Sequence, residues 1–334
     1  MVRLGTPMTR SLNLVFCGTP AFGVSTLERL ADAGYKIRLA VTQPDKPCGR
    51  GLELAPSPVK TRAAKLGIPI AQPVTIKNNE DFKSQLAALN PDAIIVVGYG
   101  RIIPQWMIEL PPLGNLNLHA SLLPKYRGAA PIQWAIANGE TTTGVTVMRI
   151  DAGLDTGDVL RQREIPVGDE DTSVSLMRRL ADIGADLMVE TLQGLQDGRV
   201  YPRPQDDTRA TLAPILRRED GLIDFNRTAS ETYNRLRGFQ PWPGAYSSLR
   251  GKHFQIHWAK PTDLEASLAP GELHLQQGNL LVGCGSATAL HLIEVQLEGK
   301  KRMSGSDFAR GYRLTRGERL AEMKKRAPDP SSSV

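Results

Sequence analysis

The sequence has few cysteines, no long apolar runs and none of the commoner nucleotide or hydrolase motifs. Its 334 residues include three cysteines, Cys17, Cys48 and Cys284, widely spaced and without a Cys-x-x-Cys pair. That excludes a disulfide framework and a zinc knuckle, and makes a reducing, cytoplasmic compartment the expectation. His253, His257, His274 and His291 have no HExxH pattern or cysteine beside them, so no metal site is expected. Apolar runs such as 93–97 fall far short of the ~20 residues a bilayer span needs, so no membrane partner is expected. The apolar stretch 14–17 after Arg3 and Arg10 is too short for a secretory signal. No internal repeat is visible.

The first Gly-rich turn, 18–23, lacks the dinucleotide fingerprint because Pro20 stands where its second glycine should be. A pyrophosphate would lose its close backbone approach there, and Asp45 after the second strand does not compensate. There is no Gly-Lys-Ser/Thr phosphate loop and no Gly-x-Ser-x-Gly elbow.

The chain is long enough for about two domains. Charged residues are 23% and hydrophobic residues 41%, an ordinary globular composition. The formal net charge of +6 is unevenly placed. Residues 1–205 hold 22 basic and 20 acidic side chains, whereas 299–326 alone hold 10 and 3. Such a run reads either as a solvated C-terminal helix or as a nucleic-acid contact.

Short strands alternate with helices through the first two hundred residues. Strands are expected at 12–17, 36–42, 68–71, 93–97, 116–119, 145–150 and 159–165, with helices at 57–66, 81–89, 132–137 and 173–195. Thr19 and Pro20 suit the N-cap and first position of another helix, whose Val24, Leu27, Leu30 and Ala31 recur at helical spacing. Residues 201–214, with Pro202, Pro204 and Pro214, read as a linker. A helix at 229–237 follows, then short alternating strands at 254–258, 273–275, 280–282 and 290–296. The fold class is α/β. An N-terminal Rossmann-like domain with a mainly parallel sheet spans 1–200, and a small OB-like C-terminal β-barrel spans 215–334. Trp242, between two prolines, reads as a packing anchor.

Residues 115–131 carry the strongest chemical signal. Asn117 and His119 are two apart in a strand and share a face, while Leu116 and Leu118 take the other. The strand runs into a Gly/Pro loop, and ligands gather at such ends in α/β sheets. A carboxylate is needed to hold the imidazole. The loop 151–158 offers Asp151, Asp155 and Asp158, among which residue pattern alone does not choose. An amide donor, a histidine and a carboxylate suit acyl transfer in which the substrate supplies the nucleophile. Ser121 is in phase with His119, but a strand neighbour two residues away is poorly placed for that histidine to deprotonate. Cys17, ending a strand, reads as buried.

Several stretches together resemble the methionyl-tRNA formyltransferase family over nearly the whole chain. They are Phe16-Cys-Gly-Thr-Pro20, Thr42-Gln-Pro-Asp45, Gly49-Arg-Gly51 with Ser57-Pro-Val-Lys60, Asn117-Leu-His-Ala-Ser-Leu-Leu-Pro124, Arg127-Gly-Ala-Ala-Pro131 and Asp151-Ala-Gly-Leu-Asp-Thr-Gly-Asp158. Two of them, His-x-Ser-Leu-Leu-Pro and Gly-Leu-Asp-Thr-Gly, are shared by the wider 10-formyltetrahydrofolate-dependent transferases. Cys17 departs from the family's more usual Ala and touches no assigned role. The resemblance implies formyl transfer from 10-formyltetrahydrofolate to the α-amino group of initiator methionyl-tRNA. It carries catalytic roles to Asn117, His119 and Asp155. It places the folate at the loop of Ser121, Leu122, Leu123 and Pro124, with the pterin along backbone near 96–99 and 151–158. It sets Arg50 against the tRNA acceptor stem. With the charge map, it makes Lys300, Lys301 and Arg302 further tRNA contacts of a monomeric enzyme. A formyltransferase for a small amine, an RNA-binding barrel fused to an inactive α/β domain, and a serine hydrolase using Ser121 are the competing readings.

Overall fold

The computed structural model describes residues 11–48, 53–263, 268–315 and 317–321. Arg50, expected at the tRNA, lies outside the described residues. The chain divides into two units. The first comprises residues 1–131, 142–166 and 176–214, and the second 132–141, 167–175 and 215–334.

The first unit is built on a seven-stranded sheet. Its order is Val159–Pro166, Thr142–Arg149, Asn115–His119, Ala93–Val97, Asn13–Gly18, Lys36–Val41 and Ile70–Ala71. The five strands from Asn115–His119 to Ile70–Ala71 pair in parallel. The remaining two, Thr142–Arg149 and Val159–Pro166, are antiparallel. The strands Asn13–Gly18 and Ala93–Val97 are almost wholly buried, as continuous apolar runs in a sheet covered on both faces must be. Val15, Cys17, Val41, Ile94 and Val96 pack with Phe82 and Met107 on one face. On the other, Leu118 presses on the long helix Ser173–Gln196, where a Cβ at Gly184 would come within 2.7 Å of the Leu118 side chain. That contact turns Asn117 and His119 to the opposite face.

The cap expected at Thr19 is displaced. The helix Phe22–Asp32 begins after Ala21, with no side-chain cap, and Thr19 Oγ1 instead donates to the Tyr99 carbonyl at 3.3 Å. Ser57 caps the next helix, Pro58–Lys65, by accepting from Lys60 N at 3.1 Å. Residues 201–214 are not an idle connection. Arg203 bridges Val159, and Leu212–Ala213 pairs in parallel with Arg127–Gly128.

The second unit is an antiparallel six-stranded sheet. Its main path runs Ala245–Leu249, Lys252–Thr262, Ala289–Leu297, Asn279–Gly283 and Leu273–Gln276, and Met303–Ser304 pairs with Ala289–Leu297. Residues 318–321 close it. Ser248 and Ala321 exchange backbone hydrogen bonds of 3.1 and 2.9 Å at one edge. At the other, Leu273 N donates to Glu318 O and Leu320 N to Gly271 O, both at 2.8 Å. Closure removes the exposed edges that an open sheet would carry. Phe254, Ile256, Leu280, Leu292, Val295 and Phe308 fill the interior.

Among the described residues one expectation for this unit fails, and one of the two readings of the basic stretch does not hold. The described part of that stretch is not a solvated helix. Within its described part, Lys300, Lys301 and Arg302 occupy an exposed turn between two strands of the sheet, and the helix Gly305–Gly311 buries Phe308 completely. Trp242 is 54% exposed, so it anchors no core.

Candidate active site

The strand Asn115–His119 ends the run of parallel pairs, and its last residue carries the imidazole. His119 is 6% exposed. Its Nε2 lies 2.9 Å from the carbonyl oxygen of Tyr126. A carbonyl can only accept, so Nε2 carries the hydrogen and donates. Nδ1 faces Asp155 Oδ2 at 3.7 Å, a charge contact longer than a hydrogen bond. The ring is therefore oriented by the loop carbonyl, with the Asp155 carboxylate on its Nδ1 side.

Asn117 is half-buried on the same face of the strand. Its side-chain amide makes no hydrogen bond among the described residues. Donors at the edge of a buried histidine, free of protein partners, are what a developing oxyanion requires.

Asp155 lies in the loop joining Thr142–Arg149 to Val159–Pro166, the two antiparallel strands. Its Oδ2 accepts from Gly128 N at 2.8 Å. The structure thus brings Asp155 to His119. Asp151 instead folds into its own turn, accepting from Gly153 N at 3.0 Å and from Thr156 Oγ1 at 2.7 Å. The loop's tightness needs Gly157, where a Cβ would come within 1.9 Å of the Arg149 carbonyl oxygen.

The loop after His119 is pinned from three sides. Thr146 Oγ1 donates to Ser121 O at 2.7 Å and accepts from Leu123 N at 3.1 Å. Gln162 Nε2 donates to Leu123 O at 2.8 Å. Thr211 Oγ1 accepts from Tyr126 N at 2.9 Å. Leu123 is buried against Met148 and Val159, and Ser121 is also buried. Leu122 and Pro124 are half-buried. The Ser121 hydroxyl donates to Lys125 O at 2.6 Å, so its proton is committed away from His119. That geometry argues against a Ser-His nucleophile. Cys17 is fully buried, and desolvation holds its thiol well above the ordinary range, so it is no nucleophile either.

Among the described residues no group of three or more His, Cys, Asp and Glu is placed to hold a metal. Among them, too, no helix is long and apolar enough to cross a membrane.

The pattern of a formyl transferase matches residues 10–192, and that of a formyl transferase C-terminal domain matches 215–313. The chain belongs to the formyl transferase family. Among its curated relatives, the methionyl-tRNA formyltransferase of Koribacter versatilis is 62% identical over 93% of this chain and 99% of its own. That of Acidobacterium capsulatum is 57% identical over 92% and 99%. That of Caldanaerobacter subterraneus is 43% identical over 92% and 99%. A solved sugar 3N-formyl transferase, in the presence of dTDP and 5-N-formyl-THF, shares the fold. It has a TM-score of 0.64 at 18% identity and covers 87% of this chain and 99% of its own.

Two polar residues of this formyl transferase escaped the sequence reading. Arg127 is buried, and Gln205 sits half-buried within an otherwise exposed run. Arg127 was visible only as part of a motif. Gln205, among prolines, gave no periodic signal at all.

Proposed function

We propose that this formyl transferase moves a formyl group from 10-formyltetrahydrofolate to the α-amino group of methionine on initiator tRNA. The observation that carries the reading is the Asn117 amide, without a hydrogen bond among the described residues, beside a buried His119, in a chain 62% identical to a methionyl-tRNA formyltransferase over 93% of its length. The amine nitrogen attacks the formyl carbon. Asn117 Nδ2–H and protonated His119 stabilise the oxyanion that forms. As the carbon–nitrogen bond to the folate breaks, the proton lost by the attacking amine passes to the departing nitrogen. Asp155 orients His119 and assists that transfer. An α-amino group titrates near ~7.7–8.0, so much of it is already neutral and no strong base is required.

The turn of Ser121, Leu122, Leu123 and Pro124 is the proposed folate contact. With the side chains of Ser121 and Leu123 turned inward, Leu122, Pro124 and the turn's backbone are what it offers. Arg50, Lys300, Lys301 and Arg302 are the proposed tRNA contacts. Arg302 is already engaged by Glu294, whereas Lys300 and Lys301 are exposed and make no ion pair among the described residues. In this reading residues 1–200 form the catalytic domain, 201–214 the link and 215–334 the tRNA-binding domain of a cytoplasmic monomer.

The test is formyl transfer to methionyl-tRNA against transfer to free amines. Turnover confined to methionyl-tRNA supports the proposal, and equal turnover on a free amino sugar overturns it.

A further inference from the structure

Asp155 holds a backbone φ of +53°, the left-handed conformation that is uncommon for residues with a Cβ, although aspartate tolerates it better than most. We propose that Gln205 enforces it and is a positioning residue for the Asp155 carboxylate. The inference rests on the reading that Asp155 serves the reaction at His119.

The Gln205 amide uses every hydrogen-bonding valence it has. Nε2 donates to the Asp155 carbonyl at 2.9 Å and to the Gly157 carbonyl at 2.7 Å. Oε1 accepts from Arg127 Nε at 3.1 Å and from Arg127 Nη2 at 2.8 Å. Arg127 is itself buried and held by Asp207, Nη2 to Oδ1 at 2.7 Å. Its neighbour Gly128 donates its N–H to Asp155 Oδ2. The two-residue strand Arg127–Gly128 therefore fixes both ends of Asp155, the carboxylate directly and the carbonyl through Gln205. The strand lies close against Ala213, so only glycine fits at 128. At Gly128 φ is +122°, and a Cβ would come within 2.7 Å of the Ala213 carbonyl oxygen. Rotation about the Asp155 N–Cα bond moves its carbonyl and its side chain together, so leaving φ +53° breaks the Gln205 bond and swings the carboxylate off His119.

Glutamine is the residue this position demands. A glutamate keeps the Arg127 contact but turns a carboxylate oxygen onto two carbonyl oxygens. That difference separates positioning from mere anchoring of Arg127.

The experiment is steady-state formylation by Gln205→Glu, Gln205→Met, Asp155→Asn and the double variant Asp155→Asn/Gln205→Met, each with its thermal midpoint. A misplacement of about 1 Å costs on the order of 100-fold, so kcat in Gln205→Glu falls roughly 10- to 100-fold. KM for both substrates stays unchanged. The double variant is no slower than Asp155→Asn, because the two residues act as one unit. Gln205→Glu at the wild-type kcat overturns the proposal, as do losses that multiply in the double variant. If Asp155→Asn itself turns over at the wild-type rate, the assignment of Asp155 fails first and the positioning role falls with it.

Discussion

Replacing His119 by alanine separates catalysis from folding more cleanly than any other change in this site. The substitution removes the Nε2–H that donates to the buried Tyr126 carbonyl at 2.9 Å. Loss of one such hydrogen bond costs about 0.5–1.5 kcal/mol. A fold of ordinary stability, roughly 5–15 kcal/mol, survives that loss, so the variant remains folded at 25 °C. The catalytic loss is larger. Removing a positioned proton-transfer group slows turnover about 10²- to 10⁴-fold, or roughly 2.7–5.5 kcal/mol of barrier. Urea denaturation and single-turnover formylation on the same preparation read the two effects separately. Binding of tRNA, measured by filter retention, stays within about twofold of wild type, because His119 is buried and is not among the proposed tRNA contacts. Turnover within a few-fold of wild type would refute the catalytic assignment. A stability loss large enough to unfold the protein would refute the claim that the histidine's main structural debt is one carbonyl.

Three further outcomes follow from the same geometry. Exposed Lys300 and Lys301, changed together to glutamine, should lower the log–log salt slope of tRNA binding by roughly 1.4–1.8 units, and an unchanged slope would mean a merely solvated turn. Phe308→Ala should destabilise the protein by about 3–5 kcal/mol, read from denaturant midpoints, because its ring is fully buried 5.1 Å from that of Phe254 and 4.4 Å from that of Tyr312. Burial pushes the Cys284 thiol up to about 12 and Cys17 higher still, so alkylation at pH 8 should spare both until the protein unfolds. Since the folded state holds these protons more tightly, their contribution to stability is full below the unfolded thiol range near ~8.5 and declines as pH rises towards 12.

The strand Asn115–His119 was legible because its signal is a period of two. Leucines that must be buried leave Asn117 and His119 together on the other face, and no tertiary contact is needed to see it. The carboxylate was not legible in that way. Asp151, Asp155 and Asp158 share one loop, and the structure separates the first two by which backbone N–H groups each accepts from. Gln205 was invisible because its partners lie on other segments, at 127, 155 and 157, and a Pro-rich run looks like a linker whether or not it carries a clamp. The helix Gly305–Gly311 was lost among basic neighbours that outweigh its short buried face of Gly305, Phe308 and Ala309. The strand Ala245–Leu249 was missed because it buries Ser247 and Ser248. Their hydroxyls bond the Ala321 carbonyl at 2.8 and 3.2 Å in the closing segment, so polarity there marks closure rather than exposure.

The most direct measurement is acceptor competition. Formylation from 10-formyltetrahydrofolate is followed with methionyl initiator tRNA and with a free amino sugar at matched concentrations, using the full chain. The account predicts a kcat/KM for methionyl-tRNA several orders of magnitude above that for the sugar, and formyl-methionine released on deacylation. Comparable values for the two acceptors, or preference for the sugar, would contradict it.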